Sequence, residues 1–210
     1  MYEKTLFILD QLGTIYGDME AKAYTVTRAI ATYGAIYNVL DQLFRRLPDF
    51  NPRKVLDFGC GPGKDDIDNR NPMCVGTTFW AMPSNWSPNE ITAVDNSPSM
   101  LHIFDTFLTE KQKDEFKVIK LQKLDLNSST KADLVIASYV LSDLQNPLET
   151  VDLLWENCND VLVLIDRGTN HGFDLISKAR QRILSKSLEK SQNVHVIGPV
   201  YFEIDFLMDL

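Results

Sequence analysis

The sequence predicts an α/β fold, a doubly wound and mainly parallel sheet with an N-terminal helical extension. Three observations carry this. Short apolar runs alternate with helical patterns from residue 53 onward. A glycine-rich turn follows the first of those runs directly. A long stretch of helical periodicity, residues 17–47, precedes them all.

In chain order, residues 1–16 are weakly patterned. In residues 17–47, Val26, Ile30, Tyr33, Tyr37, Leu40, Phe44 and Leu47 recur at spacings of three and four. That is the mark of an amphipathic helix, and Pro48 stops it. Its simplest role is a cap packed on the edge of the main domain. Residues 53–58 form the first strand. Residues 91–95 form the second, ending on Asp95. Ser97 and Pro98 then open a helix through about residue 110, as N-cap and first helical residue. Residues 116–121 are a third strand. Residues 132–138 are a fourth, apolar almost throughout as a central parallel strand should be. A helix over 147–157, a fifth strand over 161–165, a helix over 172–188 and a sixth strand over 193–197 complete the series. The division expected is a helical extension at 1–50 and a cofactor-type domain at 51–210, with an insertion at 64–76.

The turn after the first strand reads Asp57-Phe58-Gly59-Cys60-Gly61-Pro62-Gly63. Glycines at alternating positions let the backbone turn sharply and press against a ligand. The pattern D-x-G-x-G-x-G resembles the first motif of class I S-adenosylmethionine (SAM) methyltransferases. The rival dinucleotide fingerprint G-x-G-x-x-G fits Gly59 and Gly61 but meets Lys64 in its third slot. A tight turn without any ligand is the third reading. Three acids strengthen the SAM reading. Asp57 can hold an ammonium group, directly or through water. Asp95 ends the second strand, where both ribose hydroxyls can be accepted. Asp125 follows the third strand, where the adenine amino group can be accepted. An acidic lining also suits a sulfonium cation. The candidate cofactor residues are therefore Asp57, Gly59, Gly61, Gly63, Asp95 and Asp125.

Composition sets bounds on this. The chain has 210 residues, 44% hydrophobic, with a net charge of −8. That suffices for one sizeable α/β core, and it argues against a broad nucleic-acid surface while leaving room for a local patch. No run of 18 apolar residues exists, so no membrane span is expected. Cys60, Cys74 and Cys158 are an odd, scattered set with no C-x-x-C spacing, so neither a disulfide framework nor a metal site is read. The N-terminus looks like neither a secretory signal nor a transit peptide. No catalytic residue can be named. The region after the fourth strand, Ser138 to Asp143, lacks the [DNS]-P-P-[YFW] turn of amino-group methylation. Cys158 reads as core and Cys60 as a small loop residue. His102, His171 and His195 form no triad pattern. One element is clearly basic: Lys178, Arg180, Arg182, Lys186 and Lys190 mark the helix after the fifth strand. A solvated face explains them most simply, and a phosphate-contacting face is the sharper reading.

Several stretches together resemble one branch of class I methyltransferases, a family associated with assembly of the small subunit of the mitochondrial ribosome. They are Ala23 to Arg28 with Ala31-Thr32-Tyr33, Pro48 to Pro52, Val55 to Gly63 and Phe79-Trp80-Ala81. Ile91 to Asp95 with Ser97 to Met100, Tyr139 to Leu144, and Val161 to Thr169 with His171-Gly172-Phe173 and Ala179-Arg180 also match. The glycine loop is generic. The G-T-x-H-G-F stretch and the Y-x-x-x-R helix make the likeness specific. The resemblance implies SAM binding, a mitochondrial matrix location, and contact with small-subunit ribosomal RNA and ribosomal proteins. It implies a role in ribosome maturation, with methyl transfer to ribosomal RNA open. Two other readings stand beside it: an active methyltransferase on another RNA, a protein or a small molecule, and a non-catalytic structural module whose cofactor site has decayed.

The family usually carries a cysteine cluster, read as an iron–sulfur site, after a stretch like His195 to Pro199. Val200 stands where the first of those cysteines would fall, so a cluster is not expected here. A second departure is the polar segment Lys64 to Gly76. It sets Asp95 32 positions after Gly63, against about 20 in comparable sites.

Overall fold

A computed structural model describes residues 18–60, 77–107, 116–124, 131–191 and 193–198. Within these, helix α1 spans Asp18–Arg46 and strand β1 Lys54–Phe58, followed by α2 at Thr77–Ala81. Strand β2 is Glu90–Val94, α3 Pro98–Phe107, β3 Lys117–Leu121 and β4 Ala132–Ser138. A single 3-10 turn, Leu141–Asp143, leads into α4 at Pro147–Glu156. Strand β5 is Cys158–Ile165 and α5 is Asn170–Glu189.

The five strands form one sheet in the order β3-β2-β1-β4-β5, every pairing parallel. Alternation along each strand sends side chains to two covered faces. Val55, Ile91, Ala93, Leu134, Ile136, Val161 and Val163 enter one core with Ile36, Leu40 and Leu43 of α1. Leu56, Phe58, Val94, Val135 and Ala137 enter the opposite core with Leu153 and Leu154 of α4. The strand order reverses between β1 and β4. In such sheets the cleft beyond the carboxyl ends at that switch point is the usual ligand site.

Three details differ from the sequence expectation. In α1 the expected stripe holds at Leu40, with Tyr33, Phe44 and Leu47 packed against the core, but the fully buried face is centred on Ile36, Leu40 and Leu43. Tyr37 is half exposed and stacks on Tyr33, with ring centroids 5.9 Å apart. The tyrosines satisfied the apolar period while their hydroxyls favour the wet side. The helix also contributes to the same core as the sheet, rather than resting on its edge. Finally, residues 193–197 form no strand. Their alternating pattern instead reflects an extended segment lying on the core: Ile197 packs there, and the Arg46 guanidinium donates to its carbonyl.

Helices α4 and α5 are joined by ions. Arg182 donates through Nε to both oxygens of Asp152 at 2.9 Å, and through Nη2 at 2.6 Å. Lys186 Nζ reaches the same carboxylate at 2.6 Å. Burial works to raise the pKa of Asp152, and the hydrogen bonds from Arg182 and Lys186 more than offset it, leaving it below the ordinary range. Because both cations remain more than a third exposed, solvent screens much of the attraction. Asp152→Ala should cost about 1 kcal/mol in urea denaturation at low salt, and less at 0.5 M salt.

Candidate functional site

The site begins where β1 runs out. Asp57 is the penultimate strand residue and points, like Val55, toward the face covered by α1, α2 and α3. It is only 3% exposed. The next residues form a tight corner. The N–H groups of Gly59 and Cys60 both donate to the Val94 carbonyl, at 2.8 and 3.1 Å, fastening the turn to the end of β2. Gly59 has φ +71°, in the left-handed region that favours glycine. A Cβ there would also lie 2.7 Å from Val140 Cβ. The close approach at Gly59 is therefore to the segment after β4.

Asp95 follows β2 by one residue. Its N–H donates to the Leu121 carbonyl at 3.0 Å, extending the ladder to β3. Its Oδ1 accepts the Ser97 N–H at 2.9 Å. Ser97 Oγ in turn lies 3.4 Å from the Met100 N–H, so an Asx turn hands over to the N-cap of α3. These local bonds fix Asp95 at the lip of the cleft, partly exposed. The structure thus brings Asp57, Gly59 and Asp95 together at the carboxyl ends of β1 and β2. Gly61, Gly63 and Asp125 lie outside the described residues, as does the insertion at 64–76.

The electrostatics are unusual for an acidic pair. Burial pushes the Asp57 carboxyl up from 3.8 to about 7; the nearby Thr78 hydroxyl counters this in part, and the charge of Asp95 adds to it. Asp57 Oδ1 and Thr78 Oγ1 are both buried without a hydrogen bond of regular geometry. The hydroxyl therefore faces the carboxyl closely enough to ease its ionisation without satisfying it. Among the described residues this buried carboxyl has the Thr78 hydroxyl and a second carboxylate beside it, and no positive partner. The arrangement suits a cation. Cys60 belongs to the same corner, but burial first, and then Asp95 and Asp57, raise its thiol further above its usual range. It is a poor nucleophile. Cys158 starts β5, at the far end of the sheet from the cleft, and burial pushes it up to about 12.

The segment after β4 is given over to holding the fold. Tyr139 turns out of the strand at φ 59°, its N–H donating to the Ile165 carbonyl. Ser142 donates to Asp166 through its N–H at 3.0 Å and its Oγ at 2.5 Å. Asp143 pairs with Arg167 at 2.8 Å. Beyond these, Thr169 caps α5 by accepting the Gly172 N–H at 3.1 Å. A Cβ on Gly172 would lie 2.2 Å from the Arg167 carbonyl oxygen, which accounts for the second glycine of the G-T-x-H-G-F stretch. The basic helix is largely engaged too. Arg182 and Lys186 bind Asp152, Lys178 pairs with Asp174, and the Arg180 Nε is buried. It does not present a stripe of free cations. Among the described residues there is no cluster of three or more histidines, cysteines or acids able to hold a metal ion. Nor is any described helix long and apolar enough to cross a membrane.

A family model described as mitochondrial small ribosomal subunit Rsm22 matches residues 18–205. The chain belongs to the Rsm22 family. Relatives of this Rsm22-family chain include the human mitochondrial ribosome assembly protein METTL17, 28% identical over 197 residues. That match covers 90% of this chain and 40% of the human protein. The fission yeast Schizosaccharomyces pombe contributes the mitochondrial Rsm22-cox11 tandem protein 2, 27% identical, with 87% of this chain and 25% of that protein covered. The chain thus spans well under half the length of these relatives. Among solved structures, a Methanococcus maripaludis protein described as a candidate SAM-dependent methyltransferase superposes with a TM-score of 0.51 at 14% identity. It covers 83% of this chain and 74% of that one, and supports the fold alone. The Rsm22-family chain therefore has the Rossmann-like class I methyltransferase architecture.

Two residues of the site were not picked out by sequence reasoning. Thr78 is the second residue after the insertion, where the broken spacing hid its link to the glycine loop. Val140 is an ordinary apolar residue whose role is to fill the space that Gly59 leaves.

Proposed function

We propose that this chain is a SAM-binding factor of methyltransferase fold that serves assembly of the mitochondrial small ribosomal subunit, acting by binding. The observation that carries it is the buried Asp57, with Asp95 beside it and no cation among the described residues, at the carboxyl end of a Rsm22-family sheet. Asp57 would hold the ammonium of the cofactor's amino-acid end. Gly59, Gly61 and Gly63 would bring backbone to its methionyl portion. Asp95 would accept the ribose hydroxyls, and Asp125 the adenine amino group. The cofactor, when bound, supplies a methyl group on a sulfonium. No side chain described here is placed as a base to take a proton from an acceptor. With Ser142 and Asp143 committed to Asp166 and Arg167, binding is favoured over transfer. Partners in this reading are small-subunit ribosomal RNA and ribosomal proteins, in the mitochondrial matrix; the relatives' names support a mitochondrial location and ribosome association.

The test is co-sedimentation of the purified protein with small-subunit precursors, with and without SAM, alongside transfer of labelled methyl to their RNA. Co-sedimentation without label in the RNA is the expected result. Label in the RNA would make the chain a methyltransferase, and absence of co-sedimentation in both conditions would remove the ribosomal role.

A further inference from the structure

On one side the sheet ends with β5, whose ladder among the described residues is to β4 alone. At its carboxyl end the Tyr139 N–H donates to the Ile165 carbonyl, on the β4 side. Along a strand the N–H and C=O of one residue point the same way, and successive residues point opposite ways. Val161, Val163 and Ile165 therefore address β4. Leu162 and Leu164 turn their backbone groups outward, where they meet no backbone partner among the described residues.

This edge is apolar on both faces. Val161 and Val163 enter the core on one side of the sheet, and Leu162 and Leu164 pack, partly exposed, on the other. Edge strands are usually shielded by lysines, by proline or by a bulge that turns the edge away. The opposite edge strand, β3, carries Lys117 and Lys120. From Val161 to Ile165 β5 has no charge and no proline, and its register to β4 is regular. Such an edge is a template for a further strand.

Charge selects the kind of strand. Asp160, exposed, stands at the start of the apolar run, and the chain as a whole carries −8. A second copy would bring the same charge to the contact. A strand with an apolar centre and arginine or lysine at its ends matches the edge in both respects.

We propose that the outer edge of β5 docks an extended segment of a basic partner protein, which joins the sheet as an added strand. The outward backbone groups of Leu162 and Leu164 supply the hydrogen bonds, and Asp160 favours cationic flanks. This rests on the ribosome-assembly reading only for the source of the segment, since proteins that bind RNA are rich in lysine and arginine. The cofactor cleft takes no part in it.

The experiment uses the full chain without SAM and a labelled seven-residue peptide, two valines spaced by threonines between terminal arginines. Saturable binding by fluorescence anisotropy at low salt is expected, at least tenfold tighter than for the same peptide with terminal glutamates. With saturating peptide, amide hydrogen exchange at Leu162 and Leu164 should slow at least tenfold, while Val161 and Val163, already bonded to β4, should change little. Asp160→Lys should weaken the arginine peptide roughly fivefold and strengthen the glutamate peptide. Absence of binding, or binding that leaves exchange at Leu162 and Leu164 unchanged, would overturn the proposal. A dimeric mass by light scattering, with those two amides protected before any peptide is added, would give the edge to a second copy instead. Protection in the monomer that disappears on removal of residues 199–210 would give it to the chain's own end. Peptide binding by a protein that fails to co-sediment with small-subunit precursors would keep the docking edge and remove only the ribosomal source.

Discussion

Asp57→Asn is expected to make the ligand-free protein more stable at pH 8 and to leave it no more stable at pH 4. The folded carboxyl has its pKa raised to about 7, against 3.8 for the ordinary group, mainly by burial. Below pH 3.8 both folded and unfolded chains are protonated at this position, and it has no effect. Between 3.8 and about 7 the folded chain holds the proton more tightly than the unfolded one. Stability therefore falls as pH rises through this window, by up to about 1.4 kcal/mol per unit. Above pH 7 the loss is complete and constant, at most about 4 kcal/mol. Asparagine cannot ionise, so it removes that slope. Its amide needs partners in the same dry corner, which costs about 1–3 kcal/mol at every pH. The net gain at pH 8 should be about 1–3 kcal/mol, read as a raised melting temperature. A variant that melts lower than the parent by the same amount at both pH values would show that Asp57 is ionised and satisfied in the folded chain.

Gly59→Ala should be destabilising by about 2–4 kcal/mol, from two separate causes. A non-glycine residue at φ +71° costs about 1 kcal/mol in backbone strain. The new Cβ would also meet Val140 Cβ at 2.7 Å, with Val140 Cγ2 at 2.8 Å. Overpacking of this kind costs about 1–3 kcal/mol. The two parts can be separated. Val140→Gly alone should cost stability by emptying the site, while added to Gly59→Ala it should recover the steric part and leave the strain. Denaturant midpoints of the two single variants and the double variant give the coupling directly. Strict additivity would mean that Val140 does not fill the space beside Gly59.

The fold was readable because parallel strands buried on both faces are short apolar runs, as at 54–58, 90–94 and 132–138, while the edge strand at 117–121 shows only a half-buried Val118, Ile119 and Leu121. The fifth begins three residues earlier than its apolar run, since Cys158 pairs with Ala132 and the polar Asn159 and Asp160 fall at the register irregularity before Val161 pairs with Leu134. Residues 193–197 misled for the opposite reason. Alternation reports that one side is covered, and an extended segment on the core has that property without any ladder. In α1 the stripe was right at Tyr33, Leu40, Phe44 and Leu47 and wrong at Tyr37, which counts as apolar in a pattern while standing half in solvent beside Tyr33.

The site was legible as far as it depends on strand ends. Asp57, Gly59 and Asp95 meet as their positions after β1 and β2 require. What sequence could not show was contact made across the cleft. Thr78 and Val140 come from other elements, and neither has a chemistry that declares its role. The basic helix shows the same limit from another side. Its cations form a face in the sequence, but Asp152 on α4, thirty residues before Arg182, claims Arg182 and Lys186.

The central claim is that the cleft beyond β1 and β2 binds SAM. Calorimetric titration at pH 7.5, comparing the parent with Asp95→Ala, tests it most directly. Thermal melting alongside establishes that the variant, which also loses the Asx turn to Ser97, remains folded. Saturable micromolar binding by the parent is predicted, weakened at least tenfold in Asp95→Ala through the loss of charged hydrogen bonds to the ribose. No binding by the parent, or equal affinity in the folded variant, would contradict it.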